Sequence, residues 1–275
     1  MTKRVLLTLA IALIAVAGVI ICVASRWKER TFNGRPESYW INTLASPVSP
    51  TPGEDRRSVN EAWRSLGPQA VPILFHALEM HAGPFSKPCN KLRSKLPAGL
   101  QKFLPNPVNY ECLHATAWSR LADQKTRITI PPRLVARALK EEQHWFFPIV
   151  PMNALDCLNQ VSLTDSGPEK DQLLPLLLAA TEDPRVEVRM SAVLCLGHYK
   201  DQSKLVIPVL TNALENPYPE VRIRAALALH RVDPTLDKQA RMAEVAYDCL
   251  KFKESHGSSD LARQLLRVLG KDSDQ

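Results

Sequence analysis

Residues 175–197 read PLLLAATEDPRVEVRMSAVLCLG and residues 208–230 read PVLTNALENPYPEVRIRAALALH. At a shift of 33 residues one segment falls on the other. Pro175 meets Pro208, Pro184 meets Pro217, and Glu187, Val188 and Arg189 meet Glu220, Val221 and Arg222. Ala192 and Leu196 then meet Ala225 and Leu229. Each copy carries apolar residues at steps of three and four on both sides of an Asp-Pro or Asn-Pro turn, which is the pattern of two consecutive helices. A lone helical hairpin cannot bury its apolar face, so such copies must stack on one another. The expected fold is all-α, an α-solenoid of stacked helical hairpins.

These residues resemble the HEAT-repeat family. Its units show a proline in the first helix, then Asp-Pro, Val-Arg, a small residue and Leu-Gly. The matching residues here are Pro175, Asp183, Pro184, Val188, Arg189, Ala192, Leu196 and Gly197. The next copy keeps Pro208, Pro217, Val221, Arg222, Ala225 and Leu229. It departs at Asn216 and His230, where the turn and the helix end are expected to differ. The resemblance implies a structural role for Arg189 and Arg222 in hydrogen bonds to neighbouring repeats. Asp183 reads as a helix cap before Pro184 at the first helical position.

The repeat rhythm extends outward from this core. Residues 203–232 complete the second clear unit, and residues 237–252 with 258–269 form a last pair closed by Gly270. Residues 258–260 offer a cap for its second helix. Toward the N-terminus, residues 132–143 and 152–161 suggest another pair, joined through Trp145, Phe146, Phe147 and Pro148. In residues 113–122, Ala117 and Leu121 take the places of Ala192 and Leu196, while His114 stands where an arginine is expected. Residues 70–78 repeat residues 206–214 in kind. Tyr39, Trp40, Ile41 and Leu44 suit a first helix with its aromatic residues in the core. About six helical pairs result. Residues 80–110 break the rhythm with a proline-rich, acid-free insert, where Leu92, Leu96, Leu100, Phe103 and Leu104 suit one or two short helices.

Residues 5–23 form an apolar run whose only hydroxyl is Thr8, flanked by Lys3, Arg4, Arg26, Lys28 and Arg30. At 1.5 Å per residue the run spans about 28 Å, close to the thickness of a bilayer core. The expected organisation is a short tail (1–4), an uncleaved transmembrane helix or signal anchor (5–25), a linker (26–36) and the repeat domain (37–275). The competing reading is a signal peptide cleaved near residues 23–25, whose apolar core is usually shorter. Flanking charges alone would keep the body cytoplasmic. A short basic N-terminus resembles export-type signal anchors and places the body on the extracytoplasmic side, the reading adopted here.

The net charge of +7 is uneven. Residues 1–36 hold six Lys or Arg against one Glu, a balance of +5, and the rest hold 29 against 27, a balance of +2. A near-neutral body does not indicate a long face for duplex DNA. Six cysteines show no metal-ligand spacing. Cys157, Cys195 and Cys249 read as small buried residues, and Cys89 with Cys112 is a disulfide candidate if the body is exported.

No catalytic residue, cofactor site or metal site can be named. None of the seven histidines is followed by Glu, as one HEAT-like iron hydroxylase family would require, and His76 and His81 are off one helical face. P-loop, Rossmann and nucleophile-elbow patterns are absent. The expected function is therefore a non-enzymatic, membrane-anchored scaffold for protein partners. The alternatives are a HEAT-like lyase or DNA glycosylase, or a lipid or nucleic-acid binder working through the basic insert. Lys87, Lys91, Arg93, Lys95 and Lys102 are the residues expected to meet an anionic surface.

Overall fold

The computed structural model describes residues 29–45, 54–81, 108–124, 128–141, 149–162, 168–235, 239–251 and 256–271. Twelve α-helices lie among the described residues. They are α1 (Glu37–Ala45), α2 (Arg56–Leu66), α3 (Ala70–Glu79), α4 (Tyr110–Ala122), α5 (Pro132–Lys140), α6 (Ile149–Cys157), α7 (Pro168–Ala180), α8 (Val186–Leu196), α9 (Ser203–Ala213), α10 (Pro219–Val232), α11 (Gln239–Lys251) and α12 (His256–Val268). Helices α3 with α4, α5 with α6, α7 with α8, α9 with α10 and α11 with α12 pack as consecutive pairs. The second members form a continuous spine, α4 on α6, α6 on α8, α8 on α10 and α10 on α12.

The spine buries the positions that repeat in the sequence. Val188, Ala192 and Leu196 of α8 are buried, as are Val221, Ala225 and Leu229 of α10. Removing these side chains from water supplies about 25 cal/mol per Å² of apolar surface, and each helix gains it only against its neighbours. Pro175 and Pro208 sit inside α7 and α9 on exposed positions. Each proline removes one i to i−4 bond, a loss that water can offset on the outer side of a helix.

Helix boundaries differ from the sequence expectation at Asp183 and at the start of α12, while Pro217 lies in the turn as expected. Asp183 does not cap α8, which starts at Val186 with Arg185 at the cap position, so Pro184 lies in the turn. In the next unit the proline at the first helical position is Pro219, with Tyr218 as cap, and Pro217 lies in the turn. Helix α12 begins at His256, before the cap expected at residues 258–260. Gly270 does end that helix. It has φ 65°, and Lys271 N–H donates to the Leu266 carbonyl at 2.9 Å, the left-handed closure that glycine adopts without strain.

The expected linker is partly folded. Thr31–Phe32 (β1) and Arg35–Pro36 (β2) pair antiparallel around Asn33 and Gly34, both with positive φ. Asn-Gly is the preferred pair for such a tight hairpin turn. The hairpin is fastened to α1: Arg30 binds Glu37 at 2.9 and 3.0 Å, and the Trp40 indole donates to the Phe32 carbonyl at 3.2 Å. Trp40 is buried and meets Trp63 edge to face at 5.1 Å between ring centres. At this end of the stack α1 packs against both α3 and α4.

Among the described residues, no helix is long and apolar enough to cross a membrane. The apolar run at residues 5–25 lies outside the described residues. So do the expected short helices of the insert, Cys89, and the connector from Trp145 to Pro148.

Candidate interaction surface

The turns between paired helices are held by one repeated device. Arg189 Nη1 donates to the carbonyls of Asp183 and Pro184 at 2.6 and 3.0 Å, and Arg222 Nη1 donates to those of Asn216 and Pro217 at 2.9 and 3.2 Å. These bonds stay within the arginine's own unit, which corrects the expectation that they reach the neighbouring repeats. Arg185 makes the cross-repeat bond instead, donating to the Leu139 carbonyl of α5 at 2.9 Å. Asp183 Oδ1 accepts from the Arg185 N–H, and Asn216 Oδ1 accepts from the Tyr218 N–H. The two turns are thus built alike despite the Asp-to-Asn difference, because both side chains offer one acceptor oxygen two residues ahead. Burial opposes the charged form of Asp183, but the bonds and charge of Arg185, with Arg189, outweigh it and hold the carboxyl below its usual range.

His114 takes over the turn position in the degenerate unit. Its Nε2 lies 3.0 Å from the Met80 carbonyl at the end of α3, and its Nδ1 lies 2.9 Å from Glu141 beyond α5. Arg137 also donates to the Met80 carbonyl, at 2.7 Å.

Along the spine a row of polar side chains ties successive second helices. Asn153 of α6 donates to the Ala115 carbonyl of α4 at 2.9 Å, and Ser191 of α8 donates to Asp156 of α6 at 2.9 Å. Past the end of α8, His198 meets Asn159 at 2.8 Å. Burial raises the Asp156 pKa, against the Ser191 bond and the charge of Arg224 on α10. Burial also lowers the pKa of Arg224, with Asp156 opposing it. Three consecutive second helices therefore share one electrostatic neighbourhood.

A cleft of about 890 Å³ opens between α2 and α4. Asn60, Trp63 and Arg64 line it from α2, and Thr116, Ser119 and Arg120 from α4. Arg120 Nη2 donates to Asn60 Oδ1 at 2.8 Å, and its guanidinium lies over the Trp63 ring, 4.9 Å from the centroid. A smaller opening of about 360 Å³ lies at the turn edge, lined by Asp183, Pro184, Arg189, Asn216 and Pro217 among others.

The repeat-defining residues thus divide between core and turn. Val188, Ala192, Leu196, Val221, Ala225 and Leu229 are core; Asp183, Pro184, Arg189, Pro217 and Arg222 build the turns; Pro175 and Pro208 face outward. Lys87, Lys91, Arg93, Lys95 and Lys102 lie outside the described residues. Cys112 donates to the Leu44 carbonyl at 3.6 Å, while Cys195, buried, donates to the Leu155 carbonyl at 3.2 Å. Among the described residues, no three His, Cys, Asp or Glu side chains gather as a metal site would require.

Sequence reasoning did not single out Arg120, Asn60, Arg64, Asp156 or Arg224. A signal existed for one of them: Arg224 falls on Ser191 at the repeat shift, a chemical difference set among near-identical neighbours.

The family model described as HEAT repeats matches residues 146–230 and again residues 171–256. Over residues 146–256 the chain carries HEAT repeats. The matched segments contain α7 to α10 and the Arg189 and Arg222 turns, so the HEAT device is the one described above. No curated protein matches the sequence. Among solved structures, the chain is similar to a designed armadillo repeat protein in complex with the peptide (KR)4, with a TM-score of 0.36 and 15% identity over 84% of this chain and 98% of that one.

Proposed function

We propose that this chain is a non-enzymatic scaffold that holds a protein partner on the face of its second helices and is tethered to a membrane by residues 5–25. The observation that carries the reading is the row Asn153, Asp156, Ser191 and Arg224 on the successive second helices α6, α8 and α10, bonded to α4 through the Ala115 carbonyl. HEAT units make an extended surface by stacking, and the half-buried Asn153, Asp156 and Arg224 of this row give that surface polar specificity without gathering reactive groups. The tether rests on the 19-residue apolar run at residues 5–23. The basic insert adds a second contact with the same membrane, through Lys87, Lys91, Arg93, Lys95 and Lys102. The body lies on the extracytoplasmic side.

The test places a photo-crosslinking residue in the full chain at position 224, on the row, or at position 205, where an exposed leucine marks a first helix. The expected result is one saturable protein adduct from position 224 in native membranes and none from 205. Adducts of equal yield from both positions would overturn the reading.

A further inference from the structure

We propose that the cleft between α2 and α4 is the docking site for an acidic, carboxylate-bearing stretch of the partner protein. This rests on the scaffold reading above and adds the chemistry of what is bound. The cleft runs from Asn60 to Gly67 on one side and from Thr116 to Gln124 on the other. At 1.5 Å per helical residue each wall is about 10 to 12 Å long. An extended peptide rises about 3.3 Å per residue, so about three residues fit between the walls.

Arg120 is already ordered for such a ligand. Asn60 holds one end of its guanidinium and Trp63 covers a face, so little side-chain freedom is lost on binding. Carboxylates match the planar fork of arginine, as the short charge-assisted bonds of such pairs show.

The charges around Arg120 select among anions. Arg64 repels it and Asp123 attracts it. Two guanidinium groups against one carboxylate leave a surplus of one positive charge. A singly charged carboxylate balances it; a phosphate dianion would leave excess negative charge beside Asp123. Thr116 and Ser119 of α4 line the same cleft and bring hydroxyl groups able to hydrogen-bond a ligand's backbone.

The experiment uses the full chain in phosphatidylcholine nanodiscs and fluorescence anisotropy. The probe is a labelled peptide with a single glutamate in a glycine-serine frame; the controls carry glutamine or phosphoserine in its place. The glutamate peptide should bind saturably, weaken as salt rises, and bind about tenfold more tightly than the glutamine peptide. Arg64→Gln should weaken binding by about threefold and Asp123→Asn should tighten it by a similar factor, the size expected of exposed charge pairs. Both residues are exposed, so these variants keep the fold that Arg120→Gln would disturb. An unchanged Kd in both variants, or tighter binding of the phosphoserine peptide, overturns the proposal. If the crosslink from position 224 forms while the glutamate peptide fails to bind, the scaffold stands and this site falls.

Discussion

Replacing Gly197 by alanine pits two opposing effects against each other at the junction of α8 and α10. Gly197 has φ −60°, an ordinary helical value, so alanine fits the backbone. On that ground alone Gly→Ala stabilises by about 0.4 to 1 kcal/mol, because the unfolded chain loses freedom. The new methyl, however, would stand 3.1 Å from Ala228 Cα, 3.2 Å from Ala228 Cβ and 3.2 Å from the Leu194 carbonyl. Those contacts are too close, and two of the three atoms belong to main chain. Relief requires α10 to withdraw, yet α10 is packed by α8, α9, α11 and α12, and Ala225, Ala226, Leu227, Ala228 and Leu229 are all buried. Overpacking in such a place costs about 1 to 3 kcal/mol. The net expectation is a loss of roughly 1 to 2 kcal/mol. Urea unfolding followed by far-UV circular dichroism reads the loss as a lower midpoint, and hydrogen exchange should quicken in α8 and α10. Gly270→Ala is the contrast: nothing lies within 4 Å, and its φ of 65° makes the cost one of local strain at the end of α12. A Gly197→Ala chain as stable as the parent would refute the claim that the spine is closely packed here.

Leu196→Ala or Leu229→Ala should each cost about 2 to 5 kcal/mol in the same assay, through lost transfer energy and a residual cavity; a change below about 0.5 kcal/mol at both would contradict the repeat register. His114→Leu should cost about 1 to 3 kcal/mol by leaving Glu141 without its partner, and the loss should appear as faster exchange at the junction of α3, α4 and α5. Burial pushes the Cys249 thiol up from 9.0 to about 11, and raises Cys157 and Cys195 further. The folded chain keeps these protons when the unfolded chain loses them, so stability should be full below pH 9 and fall above it. The slope approaches about 1.4 kcal/mol per pH unit for each thiol, and Cys249→Ala should reduce it. The full chain should resist carbonate extraction from membranes, and changing the five basic insert residues to Gln should lower its attraction to anionic vesicles at low salt; an unchanged vesicle affinity would remove the insert from the account.

The stack of helical hairpins was legible because stacking forces the same apolar positions to recur, and Val188, Ala192 and Leu196 recur as Val221, Ala225 and Leu229. Exact helix starts were not. Asp183 and Pro184 look like a cap and a first helical residue, but the side chain of Asp183 closes its own turn and delays α8 to Val186. The hairpin at residues 31–36 was written in Asn33-Gly34, a local signal that the polar composition of the segment concealed. The cleft depends on Asn60 and Arg120, which are 60 residues apart and brought together by the packing of the first helices on α4. No periodicity encodes such a meeting. Trp63 and Trp118 are buried in their helices, and the cation held against the Trp63 ring could be seen only in three dimensions.

Hydrogen exchange of the purified chain with its cross-linked partner, compared with the free chain, tests the central claim most directly. The account predicts added protection concentrated in α6, α8 and α10 along Asp156, Ser191 and Arg224, and in α2 and α4 at the cleft. Protection confined to the first helices α7 and α9, with the spine unchanged, would contradict it.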